Sequence, residues 1–282
     1  MSKILSGTEI AHNYKERMKK EIEQLVVQGK REPHLVVILV GQHPASVSYV
    51  KGKEKACLEV GVKNTLVKLD HNISEEQLIA EIEKFNQDEG VDGILVQLPL
   101  PEHIRKEEII KRISVAKDVD GFHPVNVGKM YLGEETFIPC TPKGIMALLK
   151  KADCEIQGKN AVVLGRSQLV GAPVAQLLLQ ANATVTICHS KTKNIKQHCL
   201  NADIIIAAVG RPHFVRGDWI KKGAVVIDVG VNRSSGGKLY GDVDFDSVSQ
   251  HTSIITPVPG GVGPMTITML LENTLLAYKR RS

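Results

Sequence analysis

Short apolar runs rich in β-branched residues recur along the 282-residue chain, and segments with helical periodicity separate them. Residues 35–40, 93–98 and 161–164 are the clearest runs, and a glycine or a proline follows each of them. Short runs that are apolar almost throughout, rather than alternating, are typical of strands buried on both faces of a sheet. Strands that alternate with helices predict an α/β fold built on parallel sheets.

Three segments carry signals for the start of a helix. In two of them a serine precedes a glutamate or a glutamine by three residues, which is the spacing of a capping box, and in the third a threonine precedes a proline. These pairs are Ser6 with Glu9, Ser74 with Gln77, and Thr141, as the N-cap, with Pro142 at the first helical position. Periodicity predicts further helices at residues 45–60, 174–180 and 265–279, and further strands at residues 65–69, 184–188, 204–209, 224–229 and 253–256.

Residues 117–139 interrupt this alternation, because they are rich in Asp, Gly and Pro and have weak periodicity. We interpret the segment as a junction between two α/β lobes with a ligand cleft between them. The predicted lobes are residues 1–139 together with a C-terminal helix at 265–282, and residues 140–264.

Charge and cysteine usage argue against several classes of protein. The formal net charge is +5, and the 36 basic and 31 acidic residues are spread along the chain, so no basic stripe indicates a nucleic-acid partner. The five cysteines form no C-x-x-C pair, which predicts reduced thiols in a cytoplasmic protein. We find no signal-peptide pattern and no apolar run long enough to span a membrane. The ten histidines form no metal-binding motif, so we predict no metal site.

A glycine turn follows the strand at residues 160–164. Gly165, Arg166 and Ser167 begin the turn and Gly171 closes it before the next helix. Glycine lets the backbone approach a pyrophosphate, and a helix N-terminus supplies N–H donors, so the pattern favours a dinucleotide site. Ser167, however, stands where a G-x-G-x-x-G motif has its second glycine. The alternative is an ordinary tight turn between a strand and a helix.

The loop after the strand at residues 184–188 contains no acidic residue. An enzyme that uses NAD would place Asp or Glu there to bind the ribose hydroxyls. Ser190 and Lys191 instead offer hydroxyl and cationic donors, and Arg166 adds a second cation. These donors suit a 2′-phosphate, so we predict NADP rather than NAD as the cofactor. The alternative is an ordinary solvated loop.

Tyr49 and Lys53 lie four residues apart on a predicted helix and therefore on one face of it. Such a pair is often only a surface pair. Short-chain dehydrogenases use a Tyr-x-x-x-Lys pair, but there the pair follows the glycine turn, whereas here it precedes the turn by more than a hundred residues. The pair alone therefore does not decide the function.

Further motifs follow in a recognisable order. They are Val-Gln-Leu-Pro-Leu-Pro at residues 96–101, Lys-Asp-Val-Asp-Gly at 117–121, and a loop rich in proline and glycine at 257–264. Together with Tyr49, Lys53, the glycine turn and the segment 188–192, they closely resemble the bifunctional methylenetetrahydrofolate dehydrogenase/methenyltetrahydrofolate cyclohydrolase family. The resemblance extends from about residue 35 to residue 271.

The resemblance implies an enzyme that oxidises 5,10-methylenetetrahydrofolate with NADP and then hydrolyses the methenyl product to 10-formyltetrahydrofolate. It also implies a folate-binding catalytic domain in the first lobe, a Rossmann-like NADP-binding domain in the second, and a homodimer. By the same resemblance, Lys53 is the central acid and base, Gln97 positions it, Tyr49 contacts the folate, and Asp120 accepts hydrogen bonds from the pterin.

The resemblance extends to further binding residues. The implied folate contacts also include Leu98, Pro259, Gly260, Gly261, Val262 and Gly263, with Ser46 as an additional candidate. The implied NADP contacts are Gly165, Arg166, Ser167, Ser190 and Val231.

Several of these positions also have a structural interpretation. Gln97 could cap the end of its strand, and Asp120 could stabilise a turn, which is the role that we expect for Asp118. For the whole chain, the alternative functions are a two-lobed dehydrogenase acting on shikimate or an amino acid, and a non-enzymatic NADP-binding protein.

Overall fold

The computed structural model describes residues 2–234 and 236–281, except for the side chain of Ala45. The chain divides into two compact units. Unit 1 comprises Met1–His12 and Thr141–Thr266, and unit 2 comprises Asn13–Cys140 and Ile267–Ser282. Each unit is therefore built from two separate stretches of the chain.

The strands and helices alternate over most of the described chain. The strands are β1 (Lys3–Ile4), β2 (His34–Val40), β3 (Lys63–Leu69), β4 (Gly93–Val96), β5 (Asn160–Leu164), β6 (Thr184–Cys188), β7 (Ile204–Ala207), β8 (Val225–Asp228), β9 (Asn232–Arg233), β10 (Leu239–Tyr240) and β11 (Ile254–Ile255). The helices are α1 (Gly7–Val27), α2 (Pro44–Val60), α3 (Glu75–Gln87), α4 (Lys106–Arg112), α5 (Pro124–Leu132), α6 (Cys140–Lys151), α7 (Gly171–Gln180), α8 (Ile195–Leu200), α9 (Phe245–Val248) and α10 (Val262–Lys279).

Unit 1 contains a parallel sheet with the strand order β1-β11-β8-β7-β5-β6. The strands β7 and β8 are buried along their whole length, which agrees with the apolar sequence of β7 and with the three apolar residues that precede Asp228 in β8. Val162, Ile205 and Val226 belong to one apolar core of this unit. Because all six strands run in the same direction, the loops that follow them emerge at one edge of the sheet.

Unit 2 contains a smaller parallel sheet with the order β3-β2-β4. The central strand β2 is buried along all seven residues. Its residues Val36 and Ile38 pack in one core with Leu78 and Ile82 of α3, and α3 begins with the predicted capping box between Ser74 and Gln77. The two parallel sheets confirm the predicted α/β fold class.

The structure differs from the sequence expectations in several local features. Helix α6 begins at Cys140, so Thr141 is not its N-cap, and α10 begins at Val262 within the predicted loop at 257–264. The predicted junction at residues 117–139 contains α5 and lies in unit 2. We did not predict α5 because its N-cap is His123, whose Nδ1 accepts the Val125 N–H at 3.1 Å, rather than one of the usual capping residues.

The first residues of the chain also differ from the predicted lobes. Strand β1 pairs with β11 in the unit 1 sheet, whereas the predicted boundaries assign residues 1–139 to the other lobe. A strand of two residues gives no usable pattern in the sequence, and its partner is far away in the chain. Within the described residues, none of the helices has the length and apolar character needed to cross a lipid bilayer.

The packing of the unit 2 core predicts that replacing a buried leucine lowers the free energy of unfolding more than replacing an exposed one. Leu78 is fully buried, whereas Leu58 on α2 is 84% exposed. Because Leu78→Ala leaves a cavity in the core, we expect it to lower the free energy of unfolding by about 2–5 kcal/mol. The control Leu58→Ala should change it by less than about 0.5 kcal/mol. Urea unfolding followed by circular dichroism measures both, and equal losses would show that Leu78 does not support the core as described.

Candidate active site

Lys53 and Gln97 are hydrogen bonded inside unit 2. Lys53 lies on α2 and is 9% exposed, and its Nζ donates to Gln97 Oε1 at 2.9 Å. Gln97 follows β4, and its backbone N–H donates to the Ile38 carbonyl of β2 at 2.8 Å. The other side of its amide, Nε2, donates to the Leu98 carbonyl at 2.6 Å. These bonds fix the amide so that its oxygen faces the lysine, and Gln97 does more than end its strand.

The amine of Lys53 is held in conditions that favour its neutral form. Burial lowers the pKa of Lys53 from its ordinary value, while the negative potentials of Asp120, Cys140 and Cys57 oppose this effect. Its hydrogen-bond acceptor, Gln97, carries no charge that would compensate for the loss of solvent. A lysine with a lowered pKa can accept and donate a proton near neutral pH.

Asp120 lies close enough to Lys53 for each to influence the ionisation of the other. Burial raises the pKa of Asp120, while the charge of Lys53 and a hydrogen bond from the Cys140 thiol lower it. The structure therefore brings together three of the predicted catalytic residues, Lys53, Gln97 and Asp120. Cys140 is a buried neighbour that we did not predict from the sequence.

Tyr49 and Ser46 lie on the same helix as Lys53, towards its N-terminus. Tyr49 is 41% exposed, so its ring is available to a ligand. Ser46 is buried, and its hydroxyl has no hydrogen-bond partner among the described residues. A buried hydroxyl without a partner is rare in a protein, and a bound ligand can supply the missing hydrogen bond.

Asp118, by contrast, stabilises the backbone. Its carboxylate accepts the N–H groups of Phe122 at 3.3 Å and His123 at 2.8 Å, and the side-chain amide of Asn126 at 2.8 Å. Burial raises the pKa of Asp118 to about 7, and these hydrogen bonds oppose the shift. Asp118 thus holds the turn that leads into α5, as expected of a turn residue.

The glycine turn after β5 is too tight for any side chain at two positions. Gly165 has a φ of +113°, and a Cβ there would lie 2.1 Å from the Ala208 carbonyl oxygen. A Cβ on Gly171 would lie 2.3 Å from the Gly165 carbonyl oxygen. The Gly171 N–H donates to Ser167 Oγ at 3.3 Å, so the turn closes onto the first residue of α7. The Ala172 N–H donates to the Ser167 carbonyl at 3.0 Å, so the turn is held by its own hydrogen bonds and exposes Arg166, Ser167 and Gln168.

The other predicted cofactor residues follow strands of the same sheet. Arg166 and Ser190 are exposed in the loops after β5 and β6, and Val231 is 49% exposed after β8. The loop after β6 is ordered by the His189 N–H, which donates to Thr192 Oγ1 at 2.9 Å. These residues therefore share the carboxyl edge of the unit 1 sheet with the glycine turn.

The proline- and glycine-rich segment at residues 257–264 packs against the start of α1. The Thr8 N–H donates to the Gly260 carbonyl at 3.0 Å, and a Cβ on Gly7 would lie 1.8 Å from the Gly261 carbonyl oxygen. Val262 and Gly263 belong to α10 rather than to the loop. The predicted five-residue folate contact thus combines three loop residues with the first turn of a helix.

Two buried acids that we did not predict from the sequence, Asp228 and Asp242, lie at the carboxyl edge of the unit 1 sheet. Asp228 ends β8 and accepts the N–H groups of Gly230 and Asp242, both at 2.9 Å, and of Val243 at 3.0 Å. Burial raises the pKa of Asp228 to about 7, while these backbone donors oppose the shift.

Asp242 fixes the loop after β7. Its carboxylate accepts the consecutive N–H groups of residues 209–211, at 2.6, 2.9 and 2.8 Å, and the side-chain amide of Asn232 at 2.9 Å. In the sequence, Asp228 could have been found as an acid at the end of an apolar strand, because it follows the three apolar residues of β8. In the described part of the chain, no cluster of three His, Cys, Asp or Glu residues is suited to hold a metal ion.

Two family models match most of the chain. Residues 5–120 match the catalytic domain of tetrahydrofolate dehydrogenase/cyclohydrolase, and residues 139–282 match the NAD(P)-binding domain of the same family. The bifunctional protein FolD of Oceanobacillus iheyensis is 56% identical over 279 residues, which cover 99% of this chain and 98% of the relative. The bifunctional protein FolD of Bacillus anthracis is 58% identical over 277 residues, which cover 98% of this chain and 96% of the relative.

Solved structures agree with these matches. FolD from Campylobacter jejuni has a TM-score of 0.98 and 50% identity, with complete coverage of both chains. FolD from Trypanosoma brucei, solved with an NADP cofactor and an inhibitor, has a TM-score of 0.96 and 40% identity, and covers 99% of this chain and 98% of its own. Shikimate dehydrogenase from Thermus thermophilus has a TM-score of 0.53 and 14% identity, covering 88% of this chain and 93% of its own, so it shares the fold alone.

The electrostatics around Lys53 predict how its pKa in the wild-type protein compares with its pKa in the variant Asp120→Asn. Because burial outweighs the nearby negative charge, we expect the pKa of Lys53 to lie below its ordinary value of 10.5. Since Asp120 raises the pKa of Lys53, Asp120→Asn should lower that pKa further. Carbon NMR of Cε-labelled lysine measures both, with the Lys53 signal assigned from its absence in Lys53→Met. A Lys53 pKa at or above 10.5, or a rise in Asp120→Asn, would contradict this description of the site.

Proposed function

Because this chain belongs to the tetrahydrofolate dehydrogenase/cyclohydrolase family, we propose that Lys53, Gln97 and Asp120 act on the reduced folate in both of its reactions. The enzyme oxidises 5,10-methylenetetrahydrofolate to 5,10-methenyltetrahydrofolate with NADP, and then hydrolyses the product to 10-formyltetrahydrofolate. The observation that carries the proposal is the buried hydrogen bond of 2.9 Å between Lys53 Nζ and Gln97 Oε1.

Lys53 transfers protons in the hydrolytic reaction. Its neutral amine accepts a proton from the water molecule that adds to the methenyl carbon. The resulting ammonium then donates a proton to the ring nitrogen as the carbon–nitrogen bond breaks. The amine accepts the hydroxyl proton of the adduct as the formyl group forms, and releases it to solvent. General acid–base catalysis of this kind typically contributes roughly 10²–10⁴-fold. The cationic substrate also disfavours the ammonium form before water attacks, since like charges repel.

The neighbouring residues hold the lysine and the folate. Gln97 keeps the amine in place through its fixed amide oxygen, and Asp120 accepts N–H groups of the pterin, a role that carboxylates perform well. Tyr49 packs against the folate from the same helix as Lys53, and Ser46 supplies a buried hydroxyl. Leu98 and the segment formed by Pro259, Gly260, Gly261, Val262 and Gly263 provide further contacts, in which bare backbone permits close approach.

The carboxyl edge of the unit 1 sheet fits NADP. The turn after β5 exposes Arg166 and Ser167 at the start of α7, where Ser167 Oγ accepts the Gly171 N–H. Arg166 and Ser190 bind the 2′-phosphate, and Val231 contacts the cofactor after β8. When bound, NADP accepts the hydride from the methylene carbon of the folate. The protein contributes alignment to this step, because no proton moves at the reacting carbon.

We extend the proposal to the organisation of the enzyme. The sequence predicts that residues 1–139 and 265–282 form the folate-binding domain. The structure differs at the start of the chain, because residues 1–12 lie in unit 1. The family relationship supports a homodimer. The five free cysteines support a cytoplasmic setting, in which thiols stay reduced.

Lys53→Met separates the two reactions, because it keeps the aliphatic stem and removes the amine. We expect cyclohydrolase activity to fall by roughly 10²–10⁴-fold and dehydrogenase activity to fall less, so that the methenyl product is released and accumulates. Stopped-flow absorbance of the methenyl species measures both rates. Lys55→Met, an exposed lysine on the same helix, is the control and should retain both activities. An equal loss of both activities would instead assign Lys53 a role in binding, and unchanged hydrolysis would exclude it as the base.

Arg166→Ala tests the choice of cofactor. The loss of a charge-assisted contact with the 2′-phosphate should weaken NADP⁺ binding roughly ten- to a hundredfold and leave NAD⁺ binding nearly unchanged. Calorimetric titration with each dinucleotide measures the two affinities. The control is Lys222→Ala, an exposed cation that precedes β8 at the opposite edge of the sheet. Equal losses for NADP⁺ and NAD⁺ would show that Arg166 shapes the turn rather than binding the phosphate.

A further inference from the structure

Asn273 of α10 connects two segments of unit 2 through its buried side chain. It is 0% exposed, and its Nδ2 donates to the Val119 carbonyl at 2.8 Å and to the Ile138 carbonyl at 3.0 Å. The same nitrogen lies 3.8 Å from Cys140 Sγ. An amide nitrogen has two hydrogens, so one side chain engages both carbonyls at once.

The two connected segments are those that surround the Asp120 carboxylate. Val119 directly precedes Asp120, and the Cys140 thiol lies 3.4 Å from the Val119 carbonyl oxygen. A hydrogen bond from the same thiol to the Asp120 side chain lowers the pKa of that acid. The Asn273 amide and the Cys140 thiol therefore both reach the Val119 carbonyl, and the thiol also contacts the side chain of Asp120.

The close packing at Gly121 leaves little freedom for the Asp120 backbone. Gly121 has a φ of +76°, and a Cβ there would lie 2.7 Å from the Pro139 nitrogen and 2.9 Å from the Phe137 carbonyl oxygen. The residue after Asp120 is thus seated directly on the segment at residues 137–139. Asn273 bonds this segment and the residue before Asp120, so the backbone that carries the Asp120 carboxylate is held on both sides.

We propose that Asn273 is a positioning residue that fixes the Asp120 carboxylate for the folate by joining the Val119 and Ile138 carbonyls. This inference rests on the proposed role of Asp120 in binding the pterin. A carboxylate binds an N–H edge well only when its direction is fixed before the ligand arrives, because the cost of ordering it is then avoided. Truncation of Asn273 releases the Val119 carbonyl and lets the peptide that carries Asp120 move.

The central test compares Asn273→Ala with Thr274→Ala. Thr274 is the next residue of the same helix and is equally buried. Its hydroxyl donates to the Leu270 carbonyl of its own helix at 2.8 Å, so this bond does not connect α10 to another segment. We expect Asn273→Ala to raise the KM for methylenetetrahydrofolate roughly tenfold, while the Kd for NADP⁺ changes less than twofold. Thr274→Ala should leave both constants unchanged. Similar effects of the two variants, or parallel losses of folate and NADP⁺ affinity, would overturn the proposal.

A double variant shows whether Asn273 acts through Asp120. If it does, Asp120→Asn with Asn273→Ala raises the KM no further than Asp120→Asn alone, whereas independent roles multiply the two effects. An unchanged KM in Asp120→Asn would instead refute the proposed role of Asp120 itself. A raised KM in Asp120→Asn but not in Asn273→Ala would refute only the positioning role.

The pKa of Lys53 reports the position of Asp120, and a loss of stability alone does not change it. Since the Asp120 charge raises the pKa of Lys53, displacement of Asp120 in Asn273→Ala should lower that pKa in the NMR titration, and Thr274→Ala should not. If Asn273→Ala does not fold, the nearly isosteric Asn273→Leu replaces it, because it fills the same space and removes the donor without adding a charge. Failure of both variants to fold would assign the Asn273 bonds to folding and overturn the proposal.

Discussion

The amine of Lys53 lies buried against a neutral acceptor, the amide oxygen of Gln97, at 2.9 Å. A carboxylate in that place would hold the lysine charged, because an ion pair compensates for part of the lost solvation. The amide accepts a hydrogen bond without supplying a charge, so burial lowers the pKa of the lysine. The nearby Asp120 limits this shift without removing it. The balance depends on distances of a few ångströms, and the surrounding fold of unit 2 sets them.

Buried carboxylates fix loops near the candidate ligand contacts of each unit. Asp118 in unit 2 and the pair Asp228 and Asp242 in unit 1 accept backbone N–H groups from the loops beside them. Burying an acid is costly, and the raised pKa values of Asp118 and Asp228 record that cost. In return, loops that carry or adjoin the candidate ligand contacts hold one conformation before any ligand binds.

The sequence predicted features that depend on local pattern and could not predict features that depend on distant pairing. The apolar run of β2 and the capping box at Ser74 identified their elements, since burial and capping leave direct traces in the residues. Lys53 and Gln97 were singled out by family resemblance, and their bond joins residues 44 positions apart. Asp242 and Asn273 escaped notice because an isolated acid or amide has no pattern, and its importance arises only from the carbonyls and N–H groups that the fold brings to it.

The pairing of β1 with β11 has a consequence for synthesis of the chain on the ribosome. Lys3 is made long before its partner Ile254, which follows it by more than two hundred residues. At about 5–20 residues per second, the first strand waits roughly 10–50 s for the strand beside it. Unit 2 also waits for residues 267–282. Each unit therefore completes its packing only after a late segment of the chain has been made, unit 1 after β11 and unit 2 after α10.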